Sequence, residues 1–186
     1  HMLSLIFLEE KMKTEKSVIS NETVFSDDGL HRLLLRKQWD NEKLSAMIIM
    51  INPNSADNLS MDMTTMLVVN NLNRLEFGSV DIVNLYTRIT PKIHFRFYSD
   101  EDLLHPDNDT MILESAEKAD KIIIGWGTVG KHNQRIRERE NTVLEMLKPY
   151  KDKLFQIGEN GCHPLTPTVR NEWVLEPFEM EDIKND

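Results

Sequence analysis

Two asparagines and one histidine stand out because each follows a stretch that predicts a buried β-strand. Asn52 lies in the sequence INPNSAD, Asn84 in VNLYT and His163 in GCHPL. In an open parallel sheet, the residues just past the strand ends line the ligand crevice. We therefore expect the three side chains to meet at one edge of a sheet. Two amides and an imidazole there suit a planar heterocycle with donors and acceptors on its rim, such as a nucleobase.

Each of the three residues has a chemical role and a purely structural alternative. An amide is not a base at neutral pH, so Asn52 is expected to position a nucleophilic water, although Pro53 ends a strand whatever the function. Asn84 either pairs with a base edge or bonds to neighbouring backbone. A neutral His163 imidazole can donate a hydrogen bond to an oxyanion that develops on a leaving group. A nucleophile pair of His163 with the adjacent Cys162 is disfavoured, because neighbouring residues rarely face each other productively.

The elements that must position these residues follow from apolar patterning and turn signals. SDDG, at residues 26–29, separates two apolar runs and predicts an antiparallel hairpin that ends near Trp39. Continuous apolar runs predict further strands, at 46–51, 80–85, 121–124 and 153–157. Helical spacing predicts helices between them, the first over 61–76 and ended by Gly78, another around Ile112 and the last running to about Lys148.

Strands that alternate with helices predict an α/β three-layer sandwich with a mostly parallel central sheet, preceded by the antiparallel hairpin. We expect one domain over residues 21–175. Residues 1–20 are expected to be a flexible N-terminus, in which His1 and Met2 have the character of a cloning remnant, and residues 176–186 an acidic tail.

Composition restricts the function classes. The chain is 40% hydrophobic and 28% charged, as is typical of a globular protein, and no apolar run reaches the ~18 residues of a membrane span. Cys162 is the single cysteine, which excludes an intramolecular disulfide and favours a reducing cytoplasm. The histidines show no metal-ligand spacing, so we expect neither a metal nor another cofactor.

Net charge bears on nucleic-acid binding. A charge of −9 argues against indiscriminate DNA binding, yet residues 121–153 carry eight lysines and arginines against four acids, a local charge of +4. This segment is either a face for phosphates or a solvated helix with mixed charges. Within it, the WGTVGK loop at residues 126–131 offers glycines and free N–H groups near a helix start, which attract anions, although a tight turn explains the pattern equally.

With these motifs in order, residues 33–175 resemble the family catalogued as domain of unknown function 1643. More distantly, the chain resembles the uracil-DNA glycosylase superfamily. The INP sequence around Asn52 is similar to the first motif of its mismatch-specific branch, and VNLYT is similar to the strand end with the uracil-reading asparagine. The pair His163-Pro164 is similar to the opening of the loop that supplies a histidine to uracil O2 and a leucine that wedges into the duplex.

The resemblance implies a glycosylase-like fold and a set of site residues. The catalytic residues would be Asn52 and His163. Contacts to the base are predicted for Pro53, Asn84 and Tyr86. Contacts to DNA or its phosphates are predicted for Gly127, Thr128, Lys131, Pro164, Leu165 and Arg170. The chain departs from the classical branch at the first motif, where Asn52 and Asn54 stand around Pro53 in place of an aspartate and a tyrosine.

Three functions remain open on this basis. The first is slow hydrolysis of the N-glycosidic bond of uracil in single- or double-stranded DNA, slow because a carboxylate is missing from the first motif. The second is a glycosylase-fold module that binds DNA, or that serves as a decoy for a protein inhibitor of genuine glycosylases. The third is an enzyme that acts on a free nucleotide or a modified base.

Overall fold

A seven-stranded mixed sheet runs through the centre of the computed structural model, which describes residues 12–54 and 59–180. The strands are β1 Ser20–Phe25, β2 Arg32–Gln38, β3 Leu44–Met50, β4 Phe77–Asn84, β5 Lys121–Ile124, β6 Leu154–Ile157 and β7 Leu175–Pro177. They lie side by side in the order β1-β2-β4-β3-β5-β6-β7. The four central strands are parallel, and β1, β2 and β7 run antiparallel to their neighbours. The mostly parallel centre and the N-terminal hairpin are thus confirmed.

Helices cover both faces of this sheet. They are α1 Met63–Arg74, α2 Asp100–Leu103, α3 Asn108–Lys118 and α4 Gln134–Leu147, with 3-10 turns at Val129–His132 and Lys148–Lys153. Side chains alternate along a strand, so β3 contributes to two apolar layers. Met47 and Ile49 pack in the cluster that contains residues of α3 and α4. Ile48 and Met50 pack in the cluster that contains residues of α1 and Trp173.

The order of the strands determines where a ligand crevice opens. From β3, the chain passes through α1 to β4 on one side of β3, and it later returns through α3 to β5 on the other side. Strand β3 therefore lies at the point where the strand order reverses. In open α/β sheets, ligands bind outside the carboxyl ends of the strands at such a point. Asn52 follows β3 directly, as the sequence predicted.

The end of α1 differs from the prediction. The helix ends at Arg74 with Leu75 as its C-cap, and Glu76 takes the left-handed conformation at φ 65°. Gly78 does not end the helix but lies inside β4, where its carbonyl oxygen accepts bonds from the N–H groups of Trp39 and Asp40. A Cβ at this position would overlap the Asp40 carbonyl oxygen. The glycine is therefore explained by a close approach of two backbone segments.

The C-terminal part of the described chain adds to the sheet. Glu176 and Pro177 belong to β7, which pairs with β6, so the sheet continues past residue 175, the predicted end of the domain. The predicted flexible N-terminus falls partly, and the acidic tail mostly, outside the described residues, as do Ser55, Ala56 and Asp57 of the first motif. None of the helices within residues 12–54 and 59–180 is both long and apolar enough to cross a membrane.

Candidate functional site

A cavity of about 250 Å³ opens at the carboxyl end of β3. It is enclosed by the residues that follow β3, the first turn of α1, the start of β2 and the loop that follows β6. Its lining residues are Arg32, Met50, Ile51, Asn52, Asn54, Asp62, Thr64, Thr65, Pro91, His163 and Leu165. The structure therefore brings Asn52 and His163 together, although 111 positions separate them in the sequence.

The side chain of Asn52 is held in one orientation by backbone groups. Its Nδ2 donates to the carbonyl oxygen of Thr90 at 2.7 Å and to that of Pro53 at 3.2 Å. The amide nitrogen is thus occupied, and the carbonyl oxygen Oδ1 is the atom that can accept a bond from a ligand or a water. This orientation suits the predicted positioning of a water molecule.

The His163 ring is held as a hydrogen-bond donor. Its Nδ1 accepts a bond of 3.1 Å from the backbone N–H of Leu165, which assigns the proton of the neutral ring to Nε2. Burial lowers the pKa of His163 below its usual value, which keeps the ring neutral at pH 7. A neutral imidazole with Nε2–H on a cavity wall can stabilise negative charge that develops on a leaving group.

The WGTVGK loop supports His163 instead of lining the cavity. A Cβ at Gly127 would lie 3.1 Å from the His163 Cβ, and Gly127 has a φ of 71°, so both close packing and backbone conformation favour glycine there. Trp126 is buried in the apolar cluster beneath α4. Gly127, Thr128 and Lys131 are absent from the cavity lining, so their predicted phosphate contacts would need a surface outside the cavity.

Asn84 lies beside Met50, a residue of the cavity wall, and its amide has no partner among the described residues. The side chain is 1% exposed, and neither Nδ2 nor Oδ1 has a hydrogen-bond partner among the described residues. In the parallel register, Asn84 is the partner of Met50, which lines the cavity. By the alternation of side chains along the strands, both residues lie on the face of the sheet that packs against α1. The backbone carbonyl of Asn84 accepts a 2.9 Å bond from Asn108, so the strand end is anchored while the amide stays free. Buried polar groups are nearly always paired, so this amide calls for an additional partner.

The other two predicted base contacts lie away from the cavity. Tyr86 packs in the cluster of α3 and α4, its ring meets the edge of Phe95, and its hydroxyl donates to the carbonyl oxygen of Arg135 at 3.0 Å. Tyr86 is 2% exposed and is therefore a core residue in this structure, and this burial raises its pKa to about 12. Pro53 is buried and does not line the cavity, and its carbonyl accepts from Thr90 N–H at 3.1 Å.

Arg32 is a cavity residue that the sequence analysis missed. It opens β2, is only 4% exposed, and leaves Nε and Nη1 without a partner among the described residues. Burial is the main influence on its pKa, which falls to about 10, while the charge of Asp62 opposes this shift. The signal available in the sequence was an arginine directly before three leucines of a predicted strand. Asp62, also missed, caps α1 by accepting the Thr65 N–H at 2.7 Å.

The comparison with known protein families identifies the chain. The family model described as "Protein of unknown function (DUF1643)" matches residues 32–165. The chain belongs to the DUF1643 family. No curated protein and no solved structure matches it. The DUF1643 match includes every residue that lines the cavity, from Arg32 to Leu165.

The remaining predicted DNA contacts of this DUF1643 chain lie in the loop after β6. Leu165 lines the cavity, Pro164 is buried beside it, and Arg170 is exposed. The backbone carbonyl of Arg170 accepts a 2.9 Å bond from the amide of Asn71 on α1. Asn71 also accepts the N–H of Trp173 at 3.0 Å, so α1 anchors the loop that carries His163.

Much of the basic segment at residues 121–153 is engaged inside the DUF1643 chain. Arg135 pairs with Asp100, and Arg139 pairs with Asp109. Lys153 donates to three backbone carbonyls at the end of α3, with distances of 2.8–3.3 Å. These contacts favour the structural explanation of the local positive charge. In the part of the chain that the structure describes, no cluster of three or more His, Cys, Asp or Glu side chains could hold a metal ion.

Glu140 is expected to make the stability of the protein pH-dependent. Burial raises the pKa of Glu140 to about 7, against the weaker opposing effect of Arg137, and its carboxylate packs against Gly130. Between pH 4.5 and about 7 the folded state therefore binds a proton that the unfolded state has released, so stability falls as the pH rises.

The Glu140→Gln variant should lose this contribution. Its free energy of unfolding relative to the wild type should increase from pH 5 to pH 8 in urea denaturation. Glu114→Gln, an exposed carboxylate on α3, is the control and should show no such trend. The expectation would be contradicted if the free energies of unfolding of Glu140→Gln and the wild type differed by the same amount at pH 5 and at pH 8.

Proposed function

We propose that this DUF1643 protein hydrolyses the N-glycosidic bond of a nucleobase, with uracil in DNA as its substrate. The observation that carries the proposal is the placement of Asn52 and a neutral His163 on the walls of one cavity at the carboxyl end of the parallel strands. This is the arrangement expected from the resemblance to uracil-DNA glycosylases, whose fold we likewise propose for the chain.

The proposed reaction uses each residue at a defined atom. Water held by Asn52 Oδ1 forms a bond to the sugar C1′ as the C1′–N1 bond breaks. The electron pair of the broken bond goes to uracil, and His163 Nε2–H stabilises the resulting anion, a contact that is stronger in the transition state than before. The water releases one proton to solvent and the uracil anion takes up one from solvent, which leaves an abasic sugar and free uracil.

We expect slow turnover because the described residues that line the cavity offer Asp62 as their one carboxylate, and the Oδ1 of Asp62 accepts the Thr65 N–H at the N-terminus of α1. In this structure Asp62 therefore serves as the cap of α1.

The test is uracil release from labelled single- and double-stranded oligonucleotides at high enzyme concentration, detected as strand cleavage after alkali. Wild type should release uracil, and Asn52→Ala should release it at least tenfold more slowly. Asn70→Ala, which removes an exposed amide from α1, is the matched control and should behave as wild type. An Asn52→Ala rate equal to that of the control would exclude the proposed role of Asn52.

Asn84 is proposed to read the base edge, and its replacement separates this role from a structural one. Asn84→Ala removes no hydrogen bond of its side chain found among the described residues, so the melting temperature should change little. Loss of hydrogen bonds to the base is worth about 1.5–3 kcal/mol, so uracil release should fall roughly 10–100-fold. A large loss of stability with unchanged release per folded molecule would show that the amide serves only the fold.

The second candidate is a binding module that retains this architecture without base release. The net charge of −9 favours it, and so do the internal ion pairs of Arg135 and Arg139, because they engage two cations of the basic segment inside the protein. Such a protein would bind an oligonucleotide or a protein partner and show no uracil release in the assay above. Turnover that Asn52→Ala abolishes would exclude this candidate.

A further inference from the structure

Arg32 is an unusual component of the cavity because its charge is buried and no ion pair or carboxylate hydrogen bond to it is found within residues 12–54 and 59–180. Its side chain is 4% exposed, and two of its three guanidinium nitrogens have no hydrogen-bond partner among the described residues. Burying an ion without a partner is strongly unfavourable, whereas a paired and hydrogen-bonded ion is tolerated. The fold therefore keeps a cation beside the cavity at a cost that a bound anion would offset.

Asp62, the carboxylate whose charge acts on Arg32, does not fill this role in the structure. Asp62 attracts the Arg32 charge but makes no hydrogen bond to it, and its Oδ1 is bonded to the Thr65 N–H. By contrast, Arg36, four residues along the same strand, makes two bonds to Asp81 of 2.7 and 2.8 Å. Arg36 is thus an arginine of β2 whose guanidinium is paired with a carboxylate by two hydrogen bonds, and no such pairing of Arg32 is found among the described residues.

The surroundings of Arg32 in the cavity supply further groups that suit an anion. Thr64 and Thr65 bring the N-terminal turn of the twelve-residue α1 to the cavity wall; helix N-termini favour negative charge, and of this turn the Thr65 N–H is the donor already taken by Asp62. His163, with its Nε2–H, lines the same cavity. A guanidinium matches a phosphate in both charge and donor geometry, whereas a neutral base carbonyl provides no compensating charge.

We propose that Arg32 binds a phosphate group of the ligand, so that the cavity takes a phosphorylated nucleoside unit and not a free nucleobase or nucleoside. This inference rests on the proposed function for the identity of the base, but not for the phosphate. The phosphate belongs either to a free nucleotide or to a nucleic-acid strand.

The test is calorimetric binding of four probes to the full chain at pH 7.5: inorganic phosphate, deoxyuridine, deoxyuridine monophosphate and a short single-stranded oligonucleotide that contains uracil. The monophosphate, the oligonucleotide or both should bind wild type at least tenfold more tightly than Arg32→Gln. Deoxyuridine should not distinguish the two proteins. Binding of the monophosphate alone would assign the site to free nucleotides, and binding of the oligonucleotide alone would assign it to a strand.

Arg36→Gln is the matched control, because it removes the same charge from the same strand outside the cavity. It should retain wild-type affinity for the phosphate-bearing probes. Without ligand, Arg32→Gln should have a melting temperature equal to or above that of wild type, and Arg36→Gln a lower one, because within the part of the chain that the structure describes Arg36 has ion pairs to lose and Arg32 has none. The proposal would be overturned if wild type and Arg32→Gln bound the phosphate-bearing probes with equal affinity, or if Arg32→Gln and Arg36→Gln lost affinity equally. It would also be overturned if no phosphate-bearing probe bound the wild type.

The two proposals fail separately. Arg32-dependent phosphate binding without uracil release would leave the anion site standing and exclude the glycosylase. In the opposite case, uracil release depends on Asn52, and wild type and Arg32→Gln have equal rates and equal affinities for the probes. That result would support the glycosylase and exclude the anion site.

Discussion

His163→Ala is expected to lower the rate of uracil release by about 10²–10³-fold, the effect of removing one preorganised donor to a developing anion. The structure supports this size of effect because the ring is oriented before substrate binds: Nδ1 accepts from Leu165, and Gly127 packs against the residue. A donor that needs no reorganisation during the reaction acts mainly on the transition state. The rate should therefore fall under single-turnover conditions, with little change in oligonucleotide affinity.

The control for this variant is His132→Ala, because His132 is an exposed histidine outside the cavity lining. Its rate should equal that of wild type. The pH profile adds a second readout. Since burial lowers the pKa of His163, the wild-type rate should fall on acidification only at a pH below that at which an ordinary histidine is protonated, because a proton on Nδ1 competes with the bond from Leu165 N–H. Comparable rates for His163→Ala and His132→Ala would remove His163 from the mechanism.

Trp173→Ala is expected to cost about 3–5 kcal/mol of the free energy of unfolding, the range for truncating a large buried aromatic side chain. Trp173 is 1% exposed and fills the apolar layer between the sheet and α1. Its backbone N–H donates to Asn71 at 3.0 Å, and its carbonyl accepts from Arg74 at 2.7 Å, so the backbone position is held by α1 while the indole is removed. The loss should therefore appear as a cavity that the surroundings cannot fill by relaxing.

Urea denaturation of Trp173→Ala and Val174→Ala measures this effect. Val174 is 58% exposed, and its truncation should change stability by no more than ~0.5 kcal/mol. Under conditions in which Trp173→Ala remains folded, it should release uracil faster than His163→Ala, at a rate closer to that of the wild type. Equal stabilities of the two variants would show that the indole does not serve as a core residue.

Local sequence patterns were sufficient to predict most of the strands and helices and the edge of the sheet at which the motifs meet. The apolar run before Asn52 predicted β3, and the SDDG turn predicted the β1–β2 hairpin, both of which are confirmed. Asn52 and His163 share a cavity for a simple reason: parallel strands end at the same edge of a sheet, so residues after β3 and β6 must lie near each other. The helix over 61–76 was found two residues shorter at each end, because capping by Asp62 and the turn at Leu75 depend on local backbone geometry.

The sequence by itself therefore determined the order of β1 to β6 and of the three longer helices, the DUF1643 motifs and the edge that carries Asn52, Asn84 and His163, whereas α2 and β7 were not predicted. The tertiary structure alone decided which side chains reach the cavity. It directed Tyr86 into the opposite apolar layer, set Asn84 beside Met50, and put Arg32 on the cavity wall with no partner for Nε and Nη1 among the described residues. The physical reason is that alternation and turn chemistry are local, whereas burial and hydrogen-bond partners depend on residues brought together from distant parts of the chain.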